Sequence, residues 1–444
     1  MRGSTSYPDC RLRGSLSEMI SQTVLRKVNT KEPATDTLFG WWREASPPAQ
    51  RAFVAAFLGW MLDAFDITLF AMVLPSLLAD LGLGKGEGGL LAAITLAAAA
   101  VGGVGFGLIA DRFGRTRALM ASIGLYSVFT AACGLAQNVW QLAVFRALLG
   151  LGMGGEWACG AALVSESFPA RHRAKALAFV QSAWAVGYAC AALAAAIILP
   201  RFGWRAVFFL GLLPALLTVW VRLRVEEPSV WREAQARKES SRGRLGELFR
   251  GGLVSLTLTI TFMNMCALFA WWSFWTWLPS YLTLPENQGG VGLALVSSSG
   301  LIVVMQVGMW FGYVTFGYAS DAFGRKRTYV FYLIAAAVLL FAYTTTRAPL
   351  VLLVLGPFVA FFATGHFSGF GTVTAEIYRT EIRATAQGFT YNAGRLGSAL
   401  APYLVGSLAQ THGFRVALSV GSLAFVLAAL SWIWIPETKG RPLQ

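Results

Sequence analysis

Blocks of apolar residues too long for a soluble core constrain this chain more than any other feature. Residues 52–78, 89–110 and 351–373 each reach or exceed the ~20 residues needed to cross ~30 Å of hydrocarbon. Composition agrees. Of 444 residues, 56% are hydrophobic and 13% charged, whereas soluble domains carry about 25% charged residues because their surfaces face water. Hydropathy and turn signals predict an all-α membrane protein of twelve spans, near 52–78, 89–110, 118–136, 140–164, 175–199 and 204–222, then 252–283, 291–318, 328–346, 350–374, 385–410 and 416–435.

A net charge of +14 raises nucleic acid as a partner, but the placement of the charge argues against it. On an alternating topology Lys85, Arg201, Arg205, Arg347 and Arg415 lie on one side and Arg146 and Arg395 inside spans, while the remainder of the 36 Lys and Arg fall on the other side. This is the positive-inside bias, which places both termini in the cytoplasm. The expected organisation is a partly disordered cytoplasmic segment 1–50, a first six-span half 51–223, a cytoplasmic linker 224–250, a second half 251–436 and a tail 437–444. The linker holds Arg232, Arg237, Lys238, Arg242 and Arg244, a face suited to anionic lipid. Residues 1–35 read as disorder or partly a start-site artefact, since Met19 could also initiate. Residues 1–50 lack a signal peptide's apolar stretch, and Trp41 and Trp42 suit the headgroup zone. The expected location is the cell inner membrane, as a multi-pass monomer. Cys133, Cys159, Cys190 and Cys266 lie in spans and Cys10 near the start. Their spacing suits no metal or disulfide framework, so packing is the expected role. No cofactor is expected.

The chain is internally duplicated. Gly107, Asp111, Gly114, Arg115 and Arg117 recur as Gly317, Asp321, Gly324, Arg325 and Arg327, and Glu166 and Arg173 recur as Glu376 and Arg383, all at an offset of 210. Duplicated halves that rock about a midplane site are a mark of transporters.

The 107–117 loop, with Arg112, and its copy resemble the major facilitator superfamily signature. Arg146, Gly150 and Gly152 are similar to a second motif of that superfamily. Glu166, Pro169 and Arg173, with Pro436, Glu437, Thr438, Lys439 and Gly440, are similar to elements of sugar porters. The resemblance covers 52–440 and implies two pseudo-symmetric six-helix bundles around a central cavity with alternating access. Trp60, Asp63 and Asp66, with Gly152, Glu156 and Trp157, resemble the sialate/lactate-type metabolite:proton symporters, and aromatic-acid symporters also carry early acids in the first span. The 265–272 stretch lacks the Gln-Gln-x-x-Gly of sugar porters. The fifth span lacks the Gly-Pro signature of drug antiporters. The signature loops imply conformational control: their aspartates engage a helix N-terminus of the other half, and Arg115 and Arg325 anchor Glu166 and Glu376.

Charges inside spans cost ~2.5–3.5 kcal/mol each, so each calls for a reason. Asp63 and Asp66 share one helix face. Two carboxylates this close in low dielectric cannot both ionise cheaply, so they are candidate proton carriers, although one could instead pair with Arg146. Glu156 and His366, again 210 apart, are further candidates for a proton relay. Arg395, a permanent planar cation, needs an anion, either substrate carboxylate or Asp63. Asn392, Arg146 and Trp275 complete the candidate substrate set. Phe269, Trp271, Trp272, Phe274, Trp275 and Trp277 are expected mostly to face lipid. The function expected is proton-coupled symport of a small organic anion, with a sugar or polyol facilitator and an aromatic-acid:proton symporter as alternatives. No enzymatic constellation is present in the sequence.

Overall fold

The computed structural model describes residue 3, residues 40–227 and residues 245–439. Cys10, most of the basic linker and Gly440 lie outside them, as do the side chains of Asp111 and Arg173. The segment up to Glu44 is a unit of its own, with a short helix Gly40–Arg43 carrying Trp41 and Trp42 edge to face. Residues from Ala45 onward form a second compact unit, and it is helical nearly throughout.

The first helix, Pro47–Leu81, shows why these segments start and stop where they do. Prolines at its first positions need no N–H partner, Ser46 Oγ accepts from Ala49 N at 3.4 Å, and Gly82 ends it in the left-handed region with φ 64°. Among the described residues nine stretches are long and apolar enough to cross a membrane. Two of these, Lys175–Val221 and Thr385–Ser431, have 47 residues, or ~70 Å at 1.5 Å per residue. That is more than twice the hydrocarbon thickness. Each breaks at a glycine, Gly203 with φ 73° and Gly413 with φ 79°, a backbone conformation that side chains resist. Dividing both there, and adding the 19-residue helix Arg115–Cys133, gives twelve spans. They form two pseudo-symmetric six-helix bundles.

The break glycines themselves differ by 210, as do Gly114 (φ 114°) and Gly324 (φ 98°), which open the third and ninth spans. The duplication therefore extends to backbone conformation. One asymmetry stands out. The fourth span runs unbroken as Val139–Ser167, but the tenth, expected as one helix, splits into Pro349–Gly365, a tight turn His366–Gly369 and Phe370–Ile377. Gly365 and Gly369 flank the turn, and the low helix propensity of glycine is the visible reason.

The first, second and fifth spans of one half meet the seventh, eighth and eleventh of the other. At the end marked by Gly82 the halves touch closely. Lys85 Nζ donates to the Gln288 carbonyl at 2.8 Å and lies 4.8 Å from the Phe414 ring centre. Gly86 N donates to Gln410 Oε1 at 3.3 Å. A Cβ on Gly89 would lie 2.8 Å from the Pro402 carbonyl carbon and 2.9 Å from Tyr403 Cα, so only glycine permits this crossing. At the opposite end Gly107 and Gly317 face open space. Large apolar side chains such as Leu108, Leu216, Phe202 and Trp434 are exposed around the outside, as a lipid-facing surface requires. Cys133, Cys159 and Cys266 are buried, whereas Cys190 is exposed.

Candidate functional site

Asp63 and Asp66, each 1% exposed, stand one turn apart in the first helix but serve different surroundings. Asp66 points into its own bundle, where Thr130 Oγ1 lies 3.0 Å from Asp66 Oδ2 and 2.8 Å from the Tyr126 carbonyl oxygen. A hydroxyl has one hydrogen for these two acceptors. Both contacts become hydrogen bonds only when the carboxyl itself carries a proton and donates to Thr130. Asp63 instead has no hydrogen-bond donor on either oxygen, and the Arg395 guanidinium of the opposite half acts on it electrostatically.

Glu156 joins Asp63. Its carboxylate lies against the backbone of Gly59, where a Cβ would approach the Glu156 carboxyl carbon to 3.3 Å, and the two acids repel one another. Neither oxygen of Glu156 has a hydrogen-bond partner. Tyr126, fully buried with its hydroxyl unpartnered, feels all three acids. Three acids of the first half thus surround one tyrosine, and a cation of the second half faces the innermost. Arg395 is 3% exposed, its Nε unpartnered and its guanidinium 5.4 Å from the Tyr391 ring centre. Asn392 donates to the Gly388 carbonyl at 3.0 Å, and its Oδ1 abuts Gly103 of the second span.

Arg146 is not paired with Asp66. It lies 3.8 Å over the Phe70 ring with Nε and Nη1 unpartnered. It lines a cavity of about 20 Å³ together with Phe70, Trp271, Trp272 and Trp275, room for about one water. His366 is not brought to the acids either. It packs among Phe367, Phe370, Phe425 and Tyr329, with Nδ1 3.4 Å from the Phe362 carbonyl. The aromatic run of the seventh span, Leu253–Thr283, is also placed differently from expectation. Trp271, Trp272, Phe274, Trp275 and Trp277 are all buried, because this helix packs against the first, eleventh and twelfth spans and has little surface left for lipid.

The signature loops lie at the Gly114 end. Arg115 binds Glu166 at 2.9 Å, and Arg325 binds Glu376 at 2.8 Å and also Asp321. Arg383 Nε donates to the Tyr378 carbonyl at 3.4 Å, and Arg112 is exposed. Glu227 and Glu437, which sequence reasoning passed over as a site, continue the 210 offset. Glu227 accepts from Thr116 N and Arg117 N, and Glu437 from Arg325 N and Lys326 N. Gly114 and Gly324 have no side chain with which to cap, so these carboxylates take that role at two helix N-termini. Partial burial pushes the Glu437 carboxyl up, but backbone N–H groups of Lys439, Arg325, Lys326 and Thr438 together hold it below the ordinary Glu value.

The sequence profile of the Major Facilitator Superfamily matches residues 56–307 and 282–443. The chain belongs to that superfamily. It is 34% identical over 423 residues to a protein of Cupriavidus pinatubonensis named "Probable 4-methylmuconolactone transporter", with 92% of this chain and 95% of the relative covered. It is 32% identical over 393 residues to the sialic acid transporter NanX of Escherichia coli, with 87% and 93% covered. The partially occluded, inward-open xylose transporter XylE of E. coli superposes with a TM-score of 0.71 at 22% identity, covering 90% of this chain and all of that one. A member of this superfamily is a multi-pass membrane transporter.

Proposed function

We propose that this transporter carries a small organic anion together with protons by alternating access, as a symporter of the inner membrane with both termini cytoplasmic. The observation that carries the reading is the placement of Asp63 and Arg395 on opposite halves, both buried and in electrostatic contact. A dehydrated, unpaired charge costs several kcal/mol. Proton uptake on Asp63, or on its neighbours Asp66 and Glu156, frees Arg395 for a substrate carboxylate. The loaded centre is then neutral and its halves can re-seal. A centre holding only the proton leaves Arg395 unpaired, and one holding only the substrate leaves the acids unpaired. Either resists closure, so the two species move together. Arg146, Asn392 and Trp275 complete the substrate side, while Arg115, Arg325 and their glutamates set the balance of states. His366 takes no part in this scheme.

The relatives named above support an acidic cargo, since sialic acid and 4-methylmuconolactone both bear a carboxyl group. A neutral sugar would give Arg395 no partner. Purified protein in proteoliposomes, offered radiolabelled lactate, sialic acid, benzoate and glucose with and without a pH gradient, tests the proposal. Gradient-stimulated uptake of at least one acid and none of glucose is expected. Gradient-independent uptake of glucose alone would refute it.

A further inference from the structure

Tryptophans of both halves meet at the centre. Trp60 and Trp184 of the first half lie 4.8 Å apart, Trp184 lies 5.6 Å from Trp271 and 6.2 Å from Trp272 of the second half, and Trp271 lies 5.9 Å from Trp275. These rings run from the first span to the wall of the Arg146 cavity, which Trp271, Trp272 and Trp275 line.

Their polar edges are unusual. The indole N–H of Trp60, Trp184 and Trp275 has no hydrogen-bond partner, although these side chains are only 2%, 4% and 2% exposed. Buried indole N–H groups ordinarily find an acceptor, and leaving one unpaired costs about 1–3 kcal/mol. A packing role would favour Phe or Leu at these places. Arg146, 1% exposed with two unpartnered nitrogens, adds a cation at the cavity's edge.

Resting on the symport reading above, we propose that these indoles form a cage for the flat, conjugated body of the substrate, and that the cargo is an unsaturated or aromatic carboxylate. Its π-face stacks on Trp184 and Trp271 across the boundary between the halves. Its carboxylate pairs with a buried arginine, and ring or chain oxygens accept from the indole N–H groups. A saturated acid of equal charge loses the stacking, because a puckered ring presents no π-face. At about 20 Å³ the cavity admits no ring in this state, so the indoles part when the substrate enters. A ligand touching both sets then draws the halves together.

Matched pairs test this on the wild-type protein in detergent, by calorimetric affinity for benzoate against cyclohexanecarboxylate and for trans,trans-muconate against adipate, with lactate and N-acetylneuraminate alongside. The unsaturated member of each pair is expected to bind at least tenfold more tightly. Equal affinities within the pairs, or binding of lactate or N-acetylneuraminate alone, overturn the cage and leave acid symport standing. Binding of none of these acids overturns both. Trp184→Leu should erase the preference within a pair, while Trp184→Phe should keep it and weaken both members by only a few-fold. A Trp184→Leu protein that folds and keeps the full preference contradicts the cage.

Discussion

Replacing Gly89 by alanine should hold the transporter open at its Lys85 end. The added Cβ would sit 2.8 Å from the Pro402 carbonyl carbon, where ordinary contact begins at 3.4 Å, so the second and eleventh spans must part by more than half an ångström. Parting weakens the Lys85–Gln288 bond of 2.8 Å and the Gly86–Gln410 bond of 3.3 Å, each worth about 1 kcal/mol net. Both are exposed, so a total of about 1–2 kcal/mol is an upper range, a factor of ~5–30 in the ratio of closed to open states. The gain in helix propensity from Gly to Ala, up to about 1 kcal/mol, acts on both states and cancels in that ratio. Ser407, whose Oγ would lie 3.1 Å from a Cβ on Gly86, is the reporter. In a background lacking the native cysteines, Ser407→Cys should react with an impermeant maleimide up to ~30-fold faster once Gly89→Ala is added. Gly105→Ala, where a Cβ meets open space, should change nothing. Unaltered labelling and unaltered uptake in Gly89→Ala would refute the assignment of this crossing as a gate.

Glu437→Gln should lower the melting temperature at pH 7. Its folded-state carboxyl is held below the ordinary value, so the stabilisation is fully present above about pH 4.3, the unfolded value, and is lost as pH falls through the folded one. The difference between variant and wild type, followed by thermal melts, should therefore shrink below about pH 4. Arg325→Ala should destabilise more than Arg115→Ala in the same assay, because Arg325 binds Glu376 with both side chains 11% exposed and reaches Asp321 as well, whereas Arg115 and Glu166 are 16% and 21% exposed. Equal losses would show that burial does not set the strength of these pairs.

The span count, the duplication and the buried charges were legible in the sequence, because hydropathy and a fixed offset of 210 need no tertiary knowledge. What the pattern hid is what one helix sees of another. Hydropathy scores Trp271 and Trp275 alike whether they face lipid or a partner helix, so their burial at the junction of the halves could not be read from it. The three-residue spacing of Asp63 and Asp66 places them on one face but does not show that Asp66 turns to Thr130 and Asp63 to Arg395. Thr130 and Tyr126 look like ordinary residues of an apolar span. Glu227 and Glu437 were within reach, since they keep the same offset and follow helices opened by glycine. The turn at His366 also had a cue in Gly365 and Gly369, absent from the 210-offset positions 155 and 159 only at Cys159.

The exchange of partners at Arg395 is tested most directly by the double variant Asp63→Asn, Asp66→Asn in proteoliposomes with an acid that the wild type carries. Counterflow exchange should persist, since substrate can still pair with Arg395, but an imposed pH gradient should no longer drive accumulation above equilibrium. Gradient-driven accumulation at the wild-type level would contradict the claim that these buried acids carry the proton.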